Sequence, residues 1–119
     1  TNISIANVFS NSYRAILAGC ALENLRITNL HCRRDVRHAV MTENIAELNA
    51  CLIDGVFCEE GACRDAIFSF CKDTRGALQI KNVYAQETAC VVRNEGAINV
   101  ELENCRAERI TGALHAREK

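Results

Sequence analysis

Two groups of residues in this 119-residue chain have the types and spacing for chemistry: arginines, histidines and acids between positions 31 and 65, and eight cysteines. Abstraction of a proton next to a carboxylate needs a cation to neutralise that carboxylate and a base to accept the proton. Arg33, Arg34, Arg37, Arg64 and His38 are the candidates for those roles, with Asp35 and Asp65 as orienting groups or calcium ligands. Glycosidic hydrolysis needs a carboxylate pair instead. There is no Asp-Asp pair, and the adjacent acids Glu59 and Glu60 fall in an expected loop, where carboxylates are usually solvated. No residue is therefore assigned as catalytic. Arg14, Arg37 and Arg64 recur just before the same strand of a repeat, which predicts a basic column able to bind an anion. The competing reading pairs each Arg with a nearby acid such as Asp35 or Asp65.

The cysteines are even in number, which permits disulfides in an oxidising compartment. Their spacing does not predict a zinc site. No C-x-x-C pair occurs, and the closest pairs, Cys51/Cys58 and Cys58/Cys63, lack histidines at ligand spacing. Several fit better as small buried residues, so neither metal nor cofactor is expected. The net charge of −1 argues against nucleic acid as the main partner, even though eleven of the fourteen basic residues are Arg. No apolar run approaches the ~18 residues of a membrane span, and no signal peptide is evident at Thr1.

The elements that must position these residues come from a repeat. Five copies read apolar, any, apolar, any, Asn or Gly, apolar: Ile3–Val8, Leu25–Leu30, Cys51–Val56, Leu78–Val83 and Val100–Cys105. The anchors Asn7, Asn29, Gly55, Asn82 and Asn104 lie 22, 26, 27 and 22 residues apart. Alternating apolar residues make a strand with one buried face. Asn and Gly best tolerate a left-handed backbone, so each anchor predicts the bend of a solenoid coil. Asn7, Asn29, Asn82 and Asn104 should form an inward structural ladder with Gly55 as its gap.

After each anchor, position +1 (Val8, Leu30, Val56, Val83, Cys105) and position +3 (Ser10, Cys32, Cys58, Ala85, Ala107) should point inward. Position +2 (Phe9, His31, Phe57, Tyr84, Arg106) should point outward. A further strand is marked by Ala15-Ile16-Leu17, Ala39-Val40-Met41, Ala66-Ile67-Phe68, Cys90-Val91-Val92 and Ala113-Leu114. His38 and His115 sit beside its alanine, as structural hydrogen-bonders. Residues Thr42 to Ala50 contain good helix formers but sustain no 3.6-residue period, which predicts loop and strand. The absence of proline suits hydrogen-bonded strands. The whole predicts one all-β domain, a right-handed parallel β-helix of about five coils: 1–21, 22–46, 47–74, 75–97 and 98–119.

The repeated Ile-x-Asn-Val/Cys pattern with its following Ala-Ile or Ala-Val strand resembles the pectate-lyase-like right-handed β-helix superfamily. Arg37-His38-Ala39-Val40-Met41-Thr42, followed by Asp65-Ala66-Ile67, is similar to a segment of the β-helix proteins of phage tails. That resemblance implies contact with cell-surface polysaccharide and an extracellular or virion-surface location. The polar stretch expected after Asp-Ala is replaced here by Phe68-Ser69-Phe70, a departure that weakens any function tied to it. The resemblance is specific for fold, not activity.

Phe9, His31, Phe57 and Tyr84 form the candidate carbohydrate site, an outward ladder at the inter-strand rise of about 4.8 Å. Cover by loops or a partner subunit is the alternative. The first pattern begins at Ile3 and the last coil is followed only by residues such as Arg117, Glu118 and Lys119, so neither end has room for a cap. The expectation is an excerpt of a longer solenoid, or end-to-end stacking of copies into a filament. The resulting expectation is a non-catalytic interaction module for polysaccharide or a partner subunit. The alternatives are a self-assembling filament subunit and a fragment of an acidic-polysaccharide lyase.

Overall fold

A computed structural model describes residues 2–44 and 46–112, together with the backbone of 115–117. Eleven strands are present among these residues, and no helix. Among the described residues, therefore, no helix is long and apolar enough to cross a membrane. The strands are β1 (Ile3–Ser10), β2 (Arg14–Ala18), β3 (Ala21–Glu23), β4 (Leu25–Cys32), β5 (His38–Thr42), β6 (Ala46–Cys58), β7 (Ala66–Phe70), β8 (Thr74–Thr88), β9 (Cys90–Asn94), β10 (Ala97–Ile110) and β11 (His115–Arg117). One sheet runs β1-β4-β6-β8-β10, with β3 beside β6, and the other β11-β9-β7-β5-β2. All the pairings are parallel between successive coils. The result is a parallel β-solenoid of about four turns.

Register follows from the repeat. Ile5, Ile27, Ile53, Ile80 and Leu102 pair in sequence, as do Val8, Leu30, Val56, Val83 and Cys105. The middle members of both rows are fully buried, and Phe68, Phe70, Ile67, Val91 and Val92 close the core from the second sheet. Each inward side chain meets its own kind one coil away, so packing is repeated rather than solved anew. Residues 42–44 and 46–50 are loop and strand as the pattern predicts. The expected strand at Ala113-Leu114 lies outside the described residues.

Two corners bend the long strands. The anchors Asn7, Asn29, Asn82 and Asn104 have φ of 53–57° and Gly55 has φ 92°. Their side chains, however, are exposed rather than inward. A left-handed residue breaks the strict alternation: Ile5 and Val8 both face the core, and the two residues between them, Ala6 and Asn7, face out. The ladder exists on the outer surface. Asn29 Nδ2 donates to Asn7 Oδ1 at 3.1 Å, and Asn104 Nδ2 to Asn82 Oδ1 at 2.9 Å. Asp54 takes over beside Gly55, accepting from Asn82 at 2.7 Å.

The other corner uses Asn24 (φ 55°), Ala50 (φ 53°) and Gly76 (φ 112°). A Cβ at Gly76 would lie 2.0 Å from the Leu48 carbonyl oxygen. Gly76→Ala should therefore lower stability by about 3 kcal/mol or more, from backbone strain plus overpacking. Gly19, whose added Cβ would make only 3.4 Å contacts to Glu43, should accept Ala within about 0.5 kcal/mol. Urea midpoints of the two variants check this, and equal midpoints would refute the corner's role.

Candidate functional site

Parallel register alone stacks the +2 residues: Phe9, His31, Phe57, Tyr84 and Arg106 are successive partners. Ring centroids are 4.6 Å apart for Phe9–His31, 4.9 Å for His31–Phe57 and 5.6 Å for Phe57–Tyr84. Phe57 and Tyr84 are stacked at 18°, whereas His31 is tilted by 37° and 41° to its neighbours. The interior rings cover one another's faces in part, so edges and the 73%-exposed Phe9 are what a ligand meets. Two acids hold the polar atoms of the row. Glu59 Oε2 lies 2.9 Å from His31 Nε2 and 3.5 Å from Arg33 Nε. The His31 contact, foremost, holds the Glu59 carboxyl below its usual range. Tyr84 donates its O–H to Glu108 at 2.8 Å, which pushes the phenol up. Beside the rings, Asn29, Gly55 and Asn82 complete a shallow groove of about 310 Å³. Gly55 forms its notch, since a Cβ there would come within 3.0 Å of Asn29 Oδ1.

The arginines converge elsewhere, and differently from the expected column. Arg14 and Arg37 both contact the ring of Tyr13, with guanidinium carbons 5.2 and 5.7 Å from its centroid. Such cation–π contacts use the charge without an acid. Arg34, Arg37 and Arg64 line a cleft of about 480 Å³ with Tyr13, Asp35, Cys63 and Asp65. Arg64 reaches Glu87 at 3.6 Å rather than Asp65. Asp65 instead receives both guanidinium nitrogens of Arg93, at 2.6 and 2.8 Å, and this bidentate contact holds its carboxyl below the usual range. Asp35 and Asp65 share this cleft with the basic groups.

His38 is buried on β5, and its Nδ1–H tautomer donates to the Ala66 carbonyl at 2.8 Å. Burial, opposed by that hydrogen bond and by Asp65, pushes its pKa down. The side chain of His115 lies outside the described residues, as do Glu118, Lys119 and the side chain of Arg117.

Three thiols also meet, which spacing did not reveal. The sulfurs of Cys32, Cys58 and Cys63 lie within 4.8 Å of one another, and all three residues are buried. Cys32 and Cys58 are Cα partners on β4 and β6, while Cys63 arrives from the turn after β6. Hydrogen bonds from Cys58 and Cys63 favour Cys32 as the first to ionise, and the same contacts push the other two up. None of the eight cysteines is in a disulfide. Only the inward +3 column was visible in the repeat; the third thiol depends on the path of a turn.

Comparison with protein-family models, curated proteins and solved structures finds no match to this chain.

The His38 environment has a pH consequence. A histidine whose folded pKa is depressed contributes stability that is present above its unfolded pKa, about 6.5. That stability is lost as pH falls below this value, because only the unfolded chain then gains the proton. The slope should be at most about 1.4 kcal/mol per pH unit. It belongs to a window above the carboxylates, whose lowered pKa values act only below about pH 4. Urea midpoints from pH 7.5 to 5 should fall for the native chain and stay flatter in His38→Asn, which keeps a side-chain N–H donor. Parallel slopes would rule His38 out as the cause.

Proposed function

We propose that this chain is a non-catalytic β-solenoid module that contacts polysaccharide through its outer aromatic row, in an extracellular or virion-surface protein of the pectate-lyase-like type its repeat resembles. The observation that carries the reading is the continuous row Phe9–His31–Phe57–Tyr84 beside the amides of Asn29 and Asn82. Sugars offer apolar C–H surface together with hydroxyls, and a groove of ring edges and amides supplies a partner for each. The described residues lining this groove include no carboxylate, in keeping with binding without hydrolysis.

Binding of neutral and acidic bacterial polysaccharides, followed by affinity electrophoresis, tests the reading. Phe57→Ala and Tyr84→Ala should each weaken retardation by roughly 2- to 10-fold, the equivalent of about 0.5–1.5 kcal/mol per ring contact. Unchanged binding in the double variant would eliminate this face. Release of unsaturated product from an acidic polysaccharide would point instead to a lyase centred on the arginine cleft.

A second reading rests on the ends of the stack. Ile3, Ile5 and Val8 at one end, and Val100, Leu102 and Cys105 at the other, are only partly buried, whereas Ile27, Ile53 and Ile80 between them are buried. A second copy stacked on these columns would bury them and extend the sheets. Light scattering across a hundredfold dilution distinguishes the two. A concentration-independent monomer excludes self-stacking and leaves the glycan reading standing.

A further inference from the structure

We infer that Cys32, Cys58 and Cys63 form a trigonal thiolate site for a soft monovalent ion, copper(I). The first two thiols have a plain explanation as members of an inward column that holds Ser10, Ala85 and Ala107 in the other coils. Cys63 has no such explanation. It stands outside the repeat, in a left-handed conformation (φ 52°) that a Cβ-bearing residue adopts reluctantly. Its turn is pinned on several sides. Glu59 N–H donates to the Cys32 carbonyl at 3.0 Å, Ala62 N–H to Glu59 at 2.9 Å, and Cys63 N–H to Val36 at 2.9 Å. These bonds deliver a third sulfur to the place where the column already holds two.

The donor set selects the ion. Thiolates prefer soft metals, copper(I) among them. Three sulfurs bound to one ion at about 2.3 Å would sit about 4 Å apart, a small contraction from the observed limit of 4.8 Å. Zinc takes four ligands in a closed site. Among the described residues no fourth His, Cys, Asp or Glu donor joins the three thiols. The nearest histidine in sequence, His31, faces the opposite side of the strand, against Phe9, Phe57 and Glu59.

Charge and access fit the same ion. Binding releases three thiol protons to solvent and moves no electron, so three thiolates around one monovalent cation carry two negative charges. Cys63 also lines the cleft where Arg34, Arg37 and Arg64 outnumber Asp35 and Asp65. That cleft supplies compensating charge and an entry path from the surface.

The test is anaerobic titration of the full, reduced chain with copper(I) against a chromophoric copper(I) chelator. The expected result is one ion per chain retained against the competitor, with sulfur-to-copper charge-transfer absorbance and a raised thermal midpoint. Cys63→Ser should lower the affinity at least 100-fold, and Cys20→Ser, at an exposed site, should not change it. Should Cys63→Ser fail to fold by circular dichroism, Cys32→Ala and Cys58→Ala stand in, because Ala85 shows that the column accepts alanine. No retained copper, retention equal in all the trio's folded variants, or tighter binding of zinc(II) than copper(I) would each overturn the assignment. Glycan binding by the aromatic face is read separately and is independent of these outcomes.

Discussion

In-register parallel stacking is the constraint on which the rest of this molecule depends. Each strand residue has the same position of the preceding coil on one side and of the following coil on the other. A residue is therefore placed by whether it can lie against its partner one coil away at the spacing of hydrogen-bonded strands. Isoleucine, valine and leucine satisfy this inside. Asparagine satisfies it at the outer corner, because each amide can donate to the next and still accept from another. Aromatic rings satisfy it on the outer face by tilting or stacking. The fold thus permits surface rows of one chemical type without requiring them, since Ser4, Arg26, Leu52, Gln79 and Glu101 stack in the same register.

The same constraint releases the turns. Tyr13, Cys63 and Asp65 stand off the repeating sheet positions or at their margins, and the irregular contacts gather there. The bidentate Arg93–Asp65 contact ties a turn to a strand 28 residues later. The Arg14–Tyr13–Arg37 arrangement brings two like charges to one ring. The solenoid acts as a ruler, and the turns hold what differs from coil to coil.

Legibility in the sequence divides along that line. The anchors at Asn7, Asn29, Gly55, Asn82 and Asn104 were readable because a left-handed bend is a local requirement met by few residue types. The ring row followed by counting two positions on. The second corner was not readable, since Asn24, Ala50 and Gly76 share no side-chain chemistry, only a positive φ. The direction of the asparagines was misjudged because alternation was carried through the bend, where it lapses. The partner of Asp65 and the meeting of Cys63 with Cys32 and Cys58 were hidden for a further reason. Both depend on how a turn folds back over the neighbouring coil, and spacing along the chain does not encode that path.

The partial burial of the outer coils also shapes how this molecule opens. In a stack where each coil touches only its neighbours, opening from an end costs one interface at a time, whereas opening in the middle costs two. Amide protons should therefore exchange in a gradient. They should be fastest along β1 and β10, where Val8 and Cys105 are only partly buried, and slowest around Ile53 and Phe68. The molecule then opens by degrees rather than as a single cooperative block, and the ring of Phe9 rides on one of its least protected coils.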